Sequence, residues 1–311
     1  MGMLSRYRML DLTRIMAGPY AAHLLADMGM DVIKVEELEP RYGMARDSFT
    51  PYEPTPEGER RASAYNPLGR NKRSIALDLL RPRSQEVFYR LAALADVVIE
   101  GYRPGVLEWM GIDYATLSKI NPGIIVCSLS GYGQDGPYAK LPGHASQYGG
   151  VGGVVRMNEH GEPEDGTGGT AGFVNGLFAA NAILGALIER ESSGMGQHID
   201  VSMLGALMSL ALRDSVNYAR DGQLPKPRTP EPALSYLRCK DGKYVSTQNA
   251  ETLFWANFCT LLERPQYIPL RGGSGPEYTA MVEDVRAIFL TKTRDEWLPL
   301  LIEAETCAAP V

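Results

Sequence analysis

The sequence predicts an α/β fold, with a parallel sheet in a large first domain and a smaller α/β domain after it. Three observations carry that expectation. Short β-branched runs alternate with stretches of helical period from the N-terminus onward, the pattern of βαβ units. One run, Ile124-Ile-Val-Cys-Ser-Leu129, is bounded by turn residues and reads as a buried strand that opens into Gly131, Gly133 and Gly136. The stretch Leu224 to Pro232 is rich in proline and marks the best domain boundary in the chain.

Taken in order, Met9-Leu-Asp-Leu-Thr13 is a first strand, and residues 17–29 form a helix opened by Pro19 and closed by Gly29. Asp31-Val-Ile-Lys-Val-Glu36 is the second strand, completing a βαβ unit with the look of a nucleotide-binding half but no GxGxxG fingerprint. Residues 38–70 are polar and rich in Pro, Arg and Glu, a long loop of the kind that is functional or mobile. A strand at 73–78, a helix at 84–95 and a strand at 96–100 follow. Gly101 to Gly111 turns into a short helix, and 113–119 is another.

The glycine-rich stretch from Ser128 to Tyr138, running on to Pro142-Gly-His-Ala-Ser-Gln-Tyr-Gly-Gly150, lies where open α/β sheets put their ligands. A loop that only turns would carry the same glycines. Residues 151–170 read as a long loop or hairpin around His160-Gly161, 172–191 as a buried helix, 198–202 as a strand and 203–220 as a long apolar helix. Beyond the boundary, 234–237 and 243–247 form a hairpin across Asp241-Gly242, followed by helices near 251–262, 278–290 and 294–304. The last residues, Cys307-Ala-Ala-Pro-Val311, show no capped element.

Composition bounds the function. The chain has 311 residues, 44% hydrophobic and 22% charged, with a net charge of −6, and no Lys/Arg stripe interleaved with aromatics, which argues against a nucleic-acid partner. Four scattered cysteines without a CxxC pair argue against a disulfide framework or a metal site and for reduced thiols in a cytoplasmic protein. No apolar run reaches membrane-spanning length and no signal-peptide pattern opens the chain, so no membrane partner is expected.

Seven stretches, in one order over nearly the whole chain, resemble the family III CoA-transferases (CaiB/BaiF), which include formyl-CoA and carnitine CoA-transferases and α-methylacyl-CoA racemase. They are Leu10-Asp-Leu-Thr-Arg-Ile-Met-Ala-Gly-Pro19, Leu25-Ala-Asp-Met-Gly-Met-Asp-Val-Ile-Lys-Val-Glu36, Asn71-Lys-Arg-Ser-Ile-Ala-Leu-Asp-Leu79 and Tyr102-Arg-Pro-Gly105, then Ser130-Gly-Tyr-Gly-Gln-Asp-Gly-Pro137, Ser192-Ser-Gly-Met-Gly-Gln-His-Ile-Asp200 and Asp241-Gly-Lys-Tyr-Val245. The resemblance implies a large Rossmann-like domain (1–223), a linker (224–232), a small α/β domain (233–311), and an interlocked-ring homodimer. It also implies acyl-CoA and a carboxylic acid as substrates, and a C-terminal return to the large domain that this sequence ends before.

CoA needs cations, backbone donors and an apolar slot. By resemblance these come from Arg14, Ile15 and Met16, from Asn71, Lys72 and Arg73, and from Tyr102 and Arg103. Taken singly, each charged member reads more readily as a solvated surface residue; as a set in strand-end loops they favour CoA binding. Two departures weaken CoA contacts: Glu37 stands where many relatives carry Arg, and Gly101 where they carry Asn. The transferases use one Asp as a carboxylate nucleophile. Counting back from Ser192-Ser-Gly-Met-Gly-Gln197 puts that position on Ala171, with Glu164 and Asp165 the nearest fallback carboxylates. A second racemase Asp falls on Ala145, whereas His144 and Glu251 match the racemase base and the carboxylate that orients it. Three readings follow: a transferase with altered chemistry, a CoA-binding subunit paired with an Asp-bearing paralogue, and racemase-like proton transfer from His144.

Overall fold

The computed structural model describes residues 2–14, 16–37, 52–54, 60–62, 67–158, 160–164, 169–222 and 234–311. Two compact units divide the chain, Met1–Pro225 and Lys226–Val311, and each is described by itself. The linker expected at 224–232 lies outside the described residues.

In the first unit β1 (Arg8–Asp11), α1 (Ala17–Asp27) and β2 (Asp31–Glu36) make the opening βαβ unit. Within the stretch read as one long loop, β3 (Tyr52–Pro54) and β4 (Arg60–Ala62) pair antiparallel. Then come β5 (Lys72–Ala76), α2 (Pro82–Ala92), β6 (Val97–Glu100), α3 (Val106–Met110), α4 (Tyr114–Ile120) and β7 (Ile125–Ser130). They are followed by α5 (Ala145–Val151), β8 (Arg156–Met157), β9 (Pro163–Glu164), α6 (Ala171–Ser193) and β10 (His198–Ser202). The unit closes with α7 (Met203–Met208) and α8 (Leu212–Asp221). The single helix expected over 203–220 is thus two, joined by a 3-10 turn at Ser209–Ala211.

Six strands form one parallel sheet in the order β10-β7-β6-β1-β2-β5. The order runs outward from β1 in both directions, so a topological switch point lies between β1 and β6, where ligands of open α/β sheets bind. Successive strand residues point to opposite faces. Met9, Val97, Ile99, Ile125 and Cys127 therefore pack under α1 and α6, while Leu10, Val98 and Val126 pack under α2, α3 and α4 with Phe88, Leu107 and Leu117.

The α1–α6 contact depends on small residues: a Cβ on Gly176 would lie 2.7 Å from the Ala17 carbonyl oxygen. α6 also corrects the expectation that no apolar run reaches membrane-spanning length, since its 23 residues suffice by length and composition. One face of it serves the interior, with Ala179, Ile183 and Leu187 buried against the sheet and α1, while Phe173, Leu177 and Phe178 stand exposed.

The second unit holds β11 (Tyr236–Arg238), β12 (Tyr244–Thr247), α9 (Thr252–Leu261), α10 (Pro276–Phe289), α11 (Arg294–Glu303) and β13 (Ala308–Pro310). Its antiparallel sheet runs β11-β12-β13, so the residues that show no element in the sequence form the third strand. Backbone pairing at an edge needs no apolar alternation and tolerates Pro310. Phe258, Phe289 and Trp297 stack at the centre of this unit.

Candidate functional site

At the switch point the turn after β1 meets the turn after β6. Asp11, fully buried at the end of β1, accepts from the Thr13 backbone N–H at 2.9 Å and so closes a tight turn that projects Arg14. Lys34 Nζ lies 3.2 Å and Lys72 Nζ 3.0 Å from the two oxygens of this carboxylate. Burial is the largest single influence on Asp11 and opposes its charge, but the two ammonium groups and Thr13 outweigh it and hold its carboxyl below the usual range. The cluster keeps one carboxylate and two cations inside the first turn.

Arg14 then reaches across the switch point. Its guanidinium pairs with Glu37, donates to the Tyr102 hydroxyl at 3.2 Å and sits over the Tyr102 ring, 5.0 Å from its centroid. Glu37 thus neutralises the cation beside it. The backbone at Gly101 has room for a side chain: an added Cβ would meet nothing closer than the Leu129 carbonyl oxygen at 3.9 Å. Met16 borders the same turn, and Ile15 lies outside the described residues.

The other expected CoA contacts are placed differently. Lys72 has a side chain only 4% exposed, held by Asp11 and by the Pro19 carbonyl at 2.9 Å. Arg73 makes a bidentate pair with Asp31, at the amino end of β2 and away from the strand ends where Arg14 and Tyr102 sit. Asn71 donates to Asp27 at 2.8 Å. Arg103 is exposed beside Tyr102. The structure therefore brings Arg14 and Tyr102 together, with Met16 and Arg103 next to them in chain, and gives Lys72, Arg73 and Asn71 internal partners.

Beyond β7 the glycine-rich loop folds around one ring. A Cβ on Gly131 would lie 2.6 Å from the Tyr148 hydroxyl oxygen, and one on Gly143 would lie 2.6 Å from its ring edge. Tyr132 meets the same ring edge-on at 5.0 Å. Glycines here are required by close approach, since both loops touch the Tyr148 side chain with bare backbone. His144 caps α5: its N–H donates to Gln147 Oε1 at 2.9 Å, and its carbonyl accepts from the Gln147 and Tyr148 N–H groups. The imidazole is exposed. Ala145, where a second racemase Asp would stand, packs against the cluster around Tyr148.

α6 begins beside this cluster. Ala171 is 2% exposed and packs with Tyr148 and Leu207. Gly172 faces the other way, where an added Cβ would lie 2.3 Å from Met16 Cγ, in the turn after β1. Thr170, Ala171 and Gly172 carry no carboxylate between them. Glu164 is exposed on β9, and Asp165 lies outside the described residues. Glu251 belongs to the second unit, at the N-terminal boundary of α9, exposed and with no cap bond from its side chain. The described residues hold no cluster of three or more His, Cys, Asp or Glu that could bind a metal.

Sequence reasoning missed Glu100, Ser128 and His198, which line one cavity from three different strands. Their signal in sequence is faint: single polar residues inside or beside apolar strand runs, at Glu100 and Ser128.

The sequence matches CoA-transferase family III over residues 4–311. It is 37% identical over 225 residues to a succinate–glutarate CoA-transferase of Agrobacterium fabrum, a match covering 71% of this chain and 56% of that protein. It is 32% identical to the succinyl-CoA–L-malate CoA-transferase beta subunit of Chloroflexus aurantiacus, covering 85% of this chain and 65% of that one. A CAIB/BAIF family protein from Brucella suis superposes with a TM-score of 0.81 at 30% identity, covering 100% of this chain and 84% of that chain. The chain spans about half to three-fifths of the length of the first curated relatives it matches. The parallel sheet, the turns at its switch point and these matches agree: the chain belongs to CoA-transferase family III.

Proposed function

We propose that this chain takes part in CoA transfer between an acyl-CoA and a small carboxylic acid, supplying the CoA-binding edge but no nucleophilic carboxylate at the start of α6. The observation that carries this reading is the first turn of α6, where Ala171 is buried among apolar side chains and Gly172 abuts Met16. A transferase of the Asp type needs a carboxylate that attacks the thioester carbonyl, forming an anhydride and releasing the CoA thiolate. No side chain of Thr170-Ala171-Gly172 can do that. The carboxylate then comes from a related chain, with which this one pairs.

A partner of that kind fits the helices the first unit leaves open. α8 buries none of its residues, and Leu212 and Val216 stand 65% and 55% exposed one turn apart. Phe173, Leu177 and Phe178 on α6 are exposed as well. Either a second copy or an Asp-bearing paralogue would cover them. Three buried free cysteines, Cys127, Cys239 and Cys259, fit a reducing cytoplasmic setting.

Calorimetric titration of CoA into the chain tests the first half of the reading. Saturable binding is expected, and no heat of binding at any accessible concentration would overturn it. Acyl transfer measured with the chain alone tests the second half: none is expected, and turnover by the chain alone would contradict it.

A further inference from the structure

Asp11 and Lys34 stand opposite each other in the β1–β2 register, and Val32, two residues before Lys34, is level with Lys72 on β5. Residues two apart along a strand share a face, so all three charged side chains lie on the face that packs Met9 and Val32 under α1. There they meet at one carboxylate, that of the fully buried Asp11. Lys34 Nζ lies 3.2 Å from Asp11 Oδ1 and donates also to the Thr13 carbonyl oxygen. Lys72 reaches in from two strands away, about 10 Å at ordinary sheet spacing. Its Nζ lies 3.0 Å from Asp11 Oδ2 and 2.9 Å from the Pro19 carbonyl oxygen. Each lysine thus ties the same carboxylate to a different end of the turn after β1, Lys34 at Thr13 and Lys72 at Pro19 in the first turn of α1.

The chain between these two ties is short and tightly packed. A Cβ on Gly18 would lie 2.2 Å from Thr13 Cγ2, so the start of α1 rests on the beginning of the turn. Met16 rests in turn on Gly172 of α6, and Arg14 carries the guanidinium that reaches Glu37 and Tyr102. A displacement at either tie is therefore passed to Arg14. Lys72 itself, with a side chain 4% exposed, offers no open face to a phosphate.

We propose that Asp11, Lys34 and Lys72 are a charge clamp that positions the turn after β1, Lys72 being a positioning residue that acts on the ligand through Arg14. The consequence for CoA rests on the proposed function and gives Lys72 a different role from the direct contact that the family resemblance implies. Two cations on one carboxylate decide which member can be removed. Without Lys72, Asp11 keeps Lys34 and the Thr13 N–H, so its charge stays compensated. Without Asp11, two ammonium groups lose their shared counter-charge. Lys72→Met therefore frees the Pro19 end of the turn without stranding a buried charge.

The test begins with the unmodified, ligand-free chain. NMR of ¹⁵N-labelled lysine side chains should show a Lys72 ammonium whose exchange with solvent is slowed by its acceptors. A Lys72 ammonium that exchanges as fast as that of an exposed lysine overturns the clamp, and this measurement needs no variant to fold. In Lys72→Met the Arg14 Nε–H and Tyr102 ring signals should move, while signals of the second unit stay in place. Arg14 and Tyr102 signals that do not move overturn it equally. Calorimetry with CoA then separates positioning from contact. Lys72→Met and Arg14→Met should each weaken binding several-fold, and the double variant should bind little more weakly than Arg14→Met alone. Losses that add in full would mean that Lys72 meets the ligand itself, and would overturn the positioning role. CoA that fails to bind even the unmodified chain overturns the CoA reading alone, since the NMR measurements are made without it.

Discussion

The Arg14 guanidinium at the switch point already has a carboxylate on it. Glu37 is the partner, and any phosphate arriving at Arg14 must displace or share that pair. Both side chains are about one-third exposed, so the pair itself contributes little to stability while lowering the positive potential a ligand meets. Glu37→Gln should strengthen CoA binding, and Glu37→Arg should strengthen it further with a steeper salt dependence, both read by calorimetry at two ionic strengths. Unchanged affinity in both variants would show that Arg14 does not meet the ligand's charge.

Glu100 makes a separate prediction at the same scale. Its folded value, about 7 against an ordinary 4.5, means that the folded chain keeps a proton the unfolded chain gives up. The stability linked to that proton is complete below the ordinary value and falls as pH rises through the folded one, by on the order of 3 kcal/mol. Asp11 runs the other way: held below the usual range, it contributes at neutral pH and loses that contribution only on acidification. Denaturant unfolding at about pH 5 and pH 8.5 should therefore cost the unmodified chain more than Glu100→Gln. Equal pH dependence would contradict the burial argument.

Among the elements, those with continuous apolar runs were legible in the sequence. β7 and β10 were found almost to the residue, and the helix read at 172–191 is Ala171–Ser193. α5 was not legible, because its seven residues include two glycines and its turn is set by Tyr148 packing against loops distant in sequence. β13 was equally hidden, being defined by backbone pairing alone. The same tertiary logic governs the site: Lys72 and Arg73 look like phosphate ligands as a sequence motif, but the fold supplies Asp11 and Asp31 to hold them.

The glycines around α5 make the element-scale prediction. Gly131→Ala forces a methyl group against the Tyr148 ring and should cost about 1–3 kcal/mol in denaturant unfolding. Gly150→Ala, within α5 and with nothing inside 4 Å of the added carbon, should instead be neutral or stabilising by about 0.5–1 kcal/mol. The same sign for both variants would mean that Tyr148 does not pack as described.

For the molecule as a whole, the exposed apolar faces of α6 and α8 predict an assembly that buries far more than a small transient contact. Sedimentation should show a dimer, or a complex with an Asp-bearing paralogue when the two chains are mixed. A stable monomer that also ignores such a paralogue would contradict this. Val216→Glu places a charge in the middle of the α8 face and should shift the species toward monomer while leaving the monomer folded, since no residue of α8 is buried within the unit.

The most direct test of the central claim is chemical. An Asp-type transferase exposed to acyl-CoA accumulates an activated carboxylate that hydroxylamine converts to a hydroxamate. Mass spectrometry of the peptides covering residues 162–190, after that treatment of the chain alone, should show no hydroxamate, because Thr170, Ala171 and Gly172 carry no carboxylate. A hydroxamate on Glu164 or Asp165 would contradict the account, showing that the nucleophile is present in this chain and lies upstream of α6.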